Sequence, residues 1–192
     1  MRTLQEHKRR QILDAAAMVF AAKGFHKALM DDVAARAGIG KGTIYRYFSD
    51  KEELFFSVLD SGMDDLKAQL TVAAAGKKAP DRKLAAMVKT LVDFTLRNRP
   101  LIRLLPEIEH DRIRKRADVI HGHTKDLVAL MERGITAGIK SGAFRDGDAH
   151  TWARMLTMLT RTVLGPPGTR PPSRDRAVGT VLDVFFHGIA KR

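Results

Sequence analysis

The chain of 192 residues contains no cysteine. This absence excludes disulfide bonds, thiol-based redox sensing and thiolate metal sites, and it fits a reducing compartment. No uninterrupted apolar run approaches the ~20 residues that are needed to span a membrane. Residues 1–10 lack the apolar core of a signal peptide. We therefore expect a cytoplasmic protein with no membrane partner.

The sequence also lacks the motifs that identify common enzymes. No glycine-rich phosphate loop follows a strand pattern, and no serine stands in a nucleophile elbow. Acidic residues and histidines between Glu107 and His123 suggest a metal site, but His121 and His123 are two positions apart and diverge on a helix. Helical histidines that share a metal ion are normally three or four positions apart. We predict no enzymatic activity, no cofactor and no metal.

Positive charge, by contrast, is in clear excess. The 34 lysines and arginines outnumber the 22 acidic residues, and the formal net charge is +12. A surplus of this size suits a polyanionic partner, and DNA is the first candidate. Because a basic surface can also exist without such a partner, a motif must support the assignment.

Helical periodicity dominates the chain, and no strand-like alternation stands out. Apolar residues from Ile12 to Phe20 fall at spacings of three and four, which predicts a first helix that ends at Gly24. Residues 51–74 predict a fourth helix, with Ser49 and Glu52 as its capping box.

Longer helices are predicted beyond a break at residues 75–80. Arg99–Pro100 should end the first of them, because the residue before a proline is pushed out of the helical region. The pattern predicts about nine helices in an all-α fold, with a small N-terminal unit and a larger helical body. The helices of that body are predicted over residues 84–96, 101–108, 113–140, 148–164 and 173–190.

The most informative segment is residues 38–51, Gly-Ile-Gly-Lys-Gly-Thr-Ile-Tyr-Arg-Tyr-Phe-Ser-Asp-Lys. It follows a short helical stretch, Met30–Ala37, across a turn that contains glycine. A short helix, a tight turn and a second short helix with polar side chains predict a helix-turn-helix DNA-binding motif. Ile44 and Phe48 are four positions apart on the second helix and should face the core.

Polar side chains on this second helix are suited to bind DNA. Lysine and tyrosine bind phosphate oxygens, arginine can also bind guanine with two hydrogen bonds, and threonine can contact a thymine methyl group. Lys51 begins the next helix, where the backbone N–H groups and the dipole favour a phosphate. The basic cluster Lys8–Arg10 suits phosphates or a minor groove, but such a cluster alone is more often a solvated run of charges. The candidates on the second helix are Lys41, Thr43, Arg46 and Tyr47.

Five segments resemble the TetR family of bacterial transcriptional regulators. They are Ile-Leu-Asp-Ala-Ala at 12–16, Phe-Ala-Ala-Lys-Gly-Phe at 20–25, Met-Asp-Asp-Val-Ala-Ala-Arg-Ala-Gly at 30–38, Gly-Thr-Ile-Tyr-Arg-Tyr-Phe at 42–48 and Asp-Lys-Glu-Glu-Leu-Phe at 50–55. Together they cover about the first quarter of the chain. The rest of the chain resembles the family in its helix layout alone.

The resemblance implies an all-helical homodimer with two domains. A three-helix, helix-turn-helix domain over residues 1–50 would bind double-stranded operator DNA. A helical domain over residues 51–192 would bind a small-molecule effector and dimerise. The positions that match DNA contacts of the family are Lys41, Gly42, Thr43, Tyr45, Arg46, Tyr47 and Lys51.

Two departures from the family pattern affect phosphate contacts. The family often has serine or threonine at the start of the second helix, where this chain has Ala28 and Leu29. It often has serine where Gly40 stands, and glycine lacks the hydroxyl that could bind a phosphate. Basic residues nearby, such as Lys27, can compensate.

Two sets of apolar residues in the body are candidates for binding. An effector cavity between helices would be apolar or aromatic, and methionines adapt to varied ligands, although the same residues also suit a filled core. The last helices can pack across a two-fold axis as a four-helix bundle, or within one chain. The effector candidates are Met87, Phe94, Leu105, Leu127, Met131, Trp152, Met155, Met158 and Leu159; the dimer candidates are Val181, Leu182, Phe185, Phe186 and Ile189.

The sequence therefore predicts a sequence-specific transcriptional regulator. We expect a repressor that an effector releases from a near-palindromic operator. The alternatives are a non-specific architectural DNA-binding protein and an activator of the same fold. The ratio of specific to non-specific affinity at fixed salt distinguishes the architectural protein from a regulator.

Overall fold

A computed structural model describes residues 2–104, 117–166 and 169–189, without the side chains of residues 2, 3, 117, 118, 120, 121, 188 and 189. Within these ranges the chain is helical and has no β-strand, which confirms the predicted all-α class. None of the helices in the described ranges is both long and apolar enough to cross a membrane. The helices are α1 (Arg2–Lys27), α2 (Met30–Ala37), α3 (Lys41–Tyr45), α4 (Lys51–Ala74), α5 (Pro80–Ile102), α6 (Ala117–Lys140), α7 (Ala149–Leu164) and α8 (Arg174–Ile189).

The described residues divide into two compact units. The first unit contains residues up to 64 together with 100–104, and the second contains 65–99 and the described residues from 117 onward. Residues 51–64 of α4 thus pack within the first unit. The functional division of the chain at residue 50 stays a prediction, as does the short helix over 101–108, most of which lies outside the described residues.

The core of the first unit is built on α1. Phe20 is fully buried, and its ring meets that of Phe55 edge to face at a centroid distance of 5.2 Å. Phe25 meets Phe55 in the same way at 5.4 Å. Burial of each such ring stabilises the fold by roughly 1.5–3 kcal/mol, and edge-to-face geometry adds to this. The apolar face predicted from Ile12 to Phe20 is therefore the face that packs.

A glycine interrupts α1 where the sequence predicts its end. Gly24 has φ 78° and ψ 169°, a conformation that other residues rarely adopt, and the three residues after it continue in helical geometry to Lys27. The break explains why Phe25 can turn back toward Phe20 and Phe55.

The N-cap of α4 lies one residue later than predicted. Asp50 Oδ1 accepts the backbone N–H of Glu53 at 2.7 Å, and Glu53 Oε2 accepts the backbone N–H of Ser49 at 2.6 Å. The pairing of Ser49 with Glu52 is therefore wrong. An aspartate is as good an N-cap as a serine, and the sequence offered both in adjacent positions.

The predicted interruption at Arg99–Pro100 is also wrong. Helix α5 continues through Pro100 and ends at Ile102. Because Pro100 is only two residues from the helix end, it removes a single backbone donor in the last turn. Asn98 Nδ2 also donates to the carbonyl of Phe94 at 2.9 Å, which adds a hydrogen bond in the preceding turn.

Two arginines join helices of the second unit. Arg174, at the start of α8, binds Asp93 of α5 through Nε at 2.5 Å and Nη2 at 2.8 Å. This paired contact lowers the pKa of Asp93 below its usual value. Arg99 donates from Nη1 to the carbonyl of Leu164 at 2.8 Å and from Nη2 to that of Pro166 at 2.6 Å. The start of α8 and the end of α7 are thereby fixed to the same helix, α5.

Gly138 of α6 permits a close contact in the second unit. A Cβ atom at this position would lie 2.1 Å from Cδ2 of Phe144, whose ring is buried. We expect Gly138→Ala to lower the free energy of unfolding by about 1–3 kcal/mol, because Phe144 must leave its place. Urea denaturation measures this loss. Gly122→Ala is the matched control on the same helix, where no atom of the described residues lies within 4 Å of the new Cβ. This control should be neutral or stabilising, and equal behaviour of the two variants would contradict the prediction.

Candidate nucleic-acid interface

The helices α2 and α3 are joined by a tight glycine turn. Gly38 caps α2 in the left-handed conformation, at φ 65° and ψ 36°. Gly40 is the N-cap of α3 in an extended conformation, and the N–H of Thr43 donates to its carbonyl at 2.9 Å. The turn therefore has three residues, 38–40, as the helix-turn-helix prediction requires.

The recognition helix α3 and the residues after it have one face in the core and one toward solvent. Ile44 and Phe48 are 0% and 1% exposed, which confirms that they dock the helix. Thr43 and Tyr47 are half-buried. The outer face is made of Lys41, Gly42, Tyr45 and Arg46, all of which are exposed.

Arg46 is the arginine of this outer face. It is the C-cap of α3, and its guanidinium makes no hydrogen bond or ion pair with other described residues. A guanidinium in this state has all five donors available for phosphate oxygens or for the O6 and N7 atoms of guanine. Tyr45, 47% exposed, lies beside it and offers a hydroxyl and a ring face.

Lys41 is already paired within the chain. Its Nζ lies 3.0 Å from Oδ2 of Asp31 in α2, and both side chains are more than half exposed. The carboxylate of Asp31 raises the pKa of Lys41, so this lysine is fully charged at neutral pH. The sequence did not predict this pair, since the two residues are ten positions apart and belong to different helices.

Lys51 has contacts within the chain as well. Its Nζ donates to the carbonyls of His26 and Ala28, at 3.2 and 3.3 Å, and lies 4.7 Å from the ring centroid of Phe25. These contacts join the start of α4 to the end of α1, in addition to the predicted contact with a phosphate.

The start of α2 is capped without a hydroxyl. Leu29 is the N-cap and is exposed, and its side chain cannot accept a hydrogen bond. The backbone N–H of Leu29 instead donates to Oδ2 of Asp32 at 3.0 Å, and Lys23 lies 2.6 Å from Oδ1 of the same carboxylate. Both contacts lower the pKa of Asp32, the lysine more than the backbone. A capping box has two hydrogen bonds, and an apolar N-cap side chain cannot make one of them. Asp32 makes the other, by accepting the backbone N–H of the N-cap.

The basic cluster Lys8–Arg10 lies on α1. Arg9 lies 5.4 Å from the ring centroid of Phe48, so its charge is held near the end of the recognition segment. Arg10 binds Asp14 one turn further along, at 3.1 Å. Of these two arginines, Arg9 is therefore the better candidate for a DNA contact.

We expect Lys51→Ala to have two effects. Loss of its charged hydrogen bonds and ring contact should lower the free energy of unfolding by about 1 kcal/mol. Loss of a phosphate contact should weaken binding to all DNA sequences alike and reduce the slope of log K against log salt by about 0.9. Denaturant unfolding and anisotropy titrations at several salt concentrations separate the two. Unchanged stability would assign Lys51 to phosphate alone, and a changed base preference would contradict the phosphate role.

The predicted effector residues occupy several environments in the second unit. Met87 and Met131 are fully buried, Leu127 and Trp152 are buried, and Phe94 and Leu159 are half-buried. Met155 and Met158 are 60% and 53% exposed. Leu105 lies outside the described residues. The set stays a prediction, and its exposed members lie on the surface of the unit.

The predicted dimer residues are similarly divided. Val181 and Phe185 are 0% and 6% exposed within a single chain, and Leu182 and Phe186 are half-buried. The Phe186 ring lies 6.0 Å from that of Phe144, so it also packs within its own chain. The side chain of Ile189 is not among those described.

Comparisons with known proteins agree with this geometry. A family model for bacterial regulatory proteins of the tetR family matches residues 12–58. YhgD of Bacillus subtilis, an uncharacterised helix-turn-helix transcriptional regulator, is 25% identical over 93% of this chain and 94% of its own length. The transcriptional repressor KstR2 of Rhodococcus jostii is 27% identical over 78% of this chain and 74% of its own.

A solved structure extends the likeness to nearly the whole chain. A regulator of the TetR/AcrR family from Thermobifida fusca has 25% identity and a TM-score of 0.73, covering 95% of this chain and 98% of that one. The matched residues 12–58 include α2, α3 and the outer face described above. Residues 12–58 therefore match the tetR family of bacterial regulatory proteins, and most of the chain is similar in sequence and fold to regulators of this kind.

Proposed function

We propose that this regulator is a repressor that binds a near-palindromic operator as a homodimer and leaves it when a small-molecule effector binds. The observation that carries the proposal is the outer face of α3, with Tyr45 and Arg46 exposed while Ile44 and Phe48 hold the helix in the core. The repressor relative KstR2 supports the direction of control. The net charge of +12 supports DNA as the partner.

The small size of the recognition helix is the reason to expect a two-fold dimer and a symmetric operator. Helix α3 has five residues, Lys41–Tyr45, and with Arg46 and Tyr47 it can contact only a few base pairs. A two-fold dimer places two such helices in successive major grooves, about one helical turn apart. The operator is then a near-palindrome, and its affinity depends on an intact dimer.

The exposed apolar residues of α7 and α8 support one dimer face. Met155 and Met158 are three positions apart on the same face of α7, and Val184 of α8 is 55% exposed. Large apolar side chains grouped on a surface are typical of interfaces. These three residues are better candidates than Val181 and Phe185, which are buried within one chain.

The charged residues of α7 and α8 support the same dimer face. Arg154 and Arg161 are exposed on α7, and Asp183 is exposed on α8. A two-fold axis that brings α7 of one protomer against α8 of its partner sets these opposite charges across the interface. Such pairs at a polar rim favour one register over others.

Release from the operator requires two states of the dimer. An effector that binds the second unit better in one state shifts the population toward that state. Helices α4 and α5 each contribute residues to both units, so they are the segments through which a change in the second unit reaches the first. A changed separation of the two recognition helices then no longer fits both half-sites.

Selection of bound duplexes from a random DNA pool at fixed salt tests this function. We expect a two-fold symmetric sequence with half-sites about ten base pairs apart, bound at least ~1,000-fold more tightly than unselected DNA. A non-specific architectural protein, which the charge alone also permits, would select no sequence. That outcome would overturn the proposal.

A further inference from the structure

We propose that Asp31 limits the affinity of the DNA-binding domain for phosphates by pairing with Lys41. The inference rests on the proposed function, because it assigns Lys41 to the DNA face. Its basis is the 3.0 Å contact between Lys41 Nζ and Asp31 Oδ2, which joins the first turn of α2 to the first residue of α3.

Asp31 differs from its neighbour Asp32 in what it does for the fold. Asp32 is three-quarters buried, accepts the N–H of Leu29 and binds Lys23, so it caps α2 and ties α1 to it. The Asp31 side chain is 61% exposed, and its carboxylate contacts Lys41, whose side chain is 52% exposed. The pair is therefore accessible to DNA, and the fold keeps a cap without it.

The position of the pair places it in competition with DNA. When Lys41 binds a phosphate, it must either leave Asp31 or bring a carboxylate close to the phosphate. Both cost free energy, and neither depends on the base sequence. Asp31 thus reduces the sequence-independent part of binding, which counterion release dominates.

This reduction matters because the chain carries a net charge of +12. Phosphate contacts by many cations would hold the protein on any DNA. With the positive charge of Lys41 partly balanced by Asp31, the exposed Arg46 and Tyr45 contribute a larger share of the binding, and they are the side chains that can contact base edges. A smaller contribution of phosphate contacts to the binding free energy also makes the protein easier to release from DNA.

The test is Asp31→Asn in the full-length chain, with a scrambled 20-base-pair duplex as the probe. The amide keeps the shape and removes the charge. We expect the affinity to rise on the order of 3–10-fold at 0.1 M salt, and the slope of log K against log salt to steepen by about 0.9. An unchanged or lower affinity would overturn the proposal.

Two further variants separate the possible causes. Asp81→Asn makes the same change in net charge in the first turn of α5, in the second unit, and should leave the affinity unchanged. Lys41→Gln removes the partner, and in that background Asp31→Asn should lose most of its effect. If the gain persisted there, general repulsion between Asp31 and DNA would explain it, and the role through Lys41 would be wrong.

The result of the Asp31 experiment does not depend on whether the protein has a specific operator. Because the duplex is scrambled, the Asp31 measurements stand even if no symmetric sequence emerges from the random pool. A thermal unfolding curve for each variant confirms that the proteins compared are folded. Failure of the selection would remove the proposed function, whereas failure of the variant series would remove the inference alone.

Discussion

Replacement of both Met155 and Met158 by glutamate is expected to convert the proposed dimer to monomers and to weaken binding to the proposed operator by at least about 100-fold. The two side chains are 60% and 53% exposed in the single chain, so the change leaves its core intact. In a dimer, the two copies would bury four carboxylates against apolar surface. Buried charges without partners cost several kcal/mol each, which is more than a dimer interface of ordinary affinity can absorb.

Sedimentation velocity and anisotropy titrations on the selected operator measure the two effects together. The matched control is the double variant of Ala68 and Val72 to glutamate on α4, where Val72 is 75% exposed and Ala68 is also exposed. It adds the same charge to an exposed helix face outside α7 and α8. A dimer that survives in the Met155 and Met158 variant would place the interface elsewhere.

Phe185→Glu, which the sequence suggests as the dimer variant, cannot separate assembly from folding. Phe185 is 6% exposed within one chain, and Val181 one turn away is fully buried. A glutamate there would be buried in the folded monomer and would unfold it. The exposed pair on α7 avoids this ambiguity.

The sequence was sufficient for most of the N-terminal architecture. The spacing of Ile44 and Phe48 identifies the inner face of α3, and the glycines at 38 and 40 identify the turn, because few other residues accept the backbone conformation of Gly38. Helix periodicity and turn residues are determined by positions close together in the sequence. The sequence therefore predicts helices, turns and buried faces without knowledge of the tertiary packing.

Contacts between helices could not be predicted from the sequence. Lys51 lies 25 positions from the carbonyl of His26, and no pattern of single residues predicts that pair or the pairing of Lys41 with Asp31. The exposure of Met155 and Met158 could not be predicted for a different reason. Helical periodicity shows that an apolar face exists, but it does not distinguish a face that packs within the chain from one that stays exposed.

Arg46→Ala is expected to weaken binding to the selected operator by ~1–3 kcal/mol for each half-site and to relax the preference at one base pair. The reason is the available guanidinium at the end of α3, whose neighbours Ile44 and Phe48 fix the helix in the core. Because the proposed dimer has two such arginines, the loss applies to both half-sites. Stability should be unchanged, since Arg46 makes no side-chain bond with other described residues.

Arg46→Lys is the control that separates charge from geometry. Lysine keeps the charge but cannot make the paired hydrogen bonds of a guanidinium. If Arg46 binds guanine, the lysine variant should retain its affinity for scrambled DNA and lose the preference at the contacted base pair. If Arg46 binds phosphate alone, lysine should restore operator affinity and leave the preference intact. Titrations on the operator and on a duplex changed at that base pair in both half-sites distinguish these outcomes, and an alanine variant that binds both duplexes as the parent does would remove Arg46 from the interface.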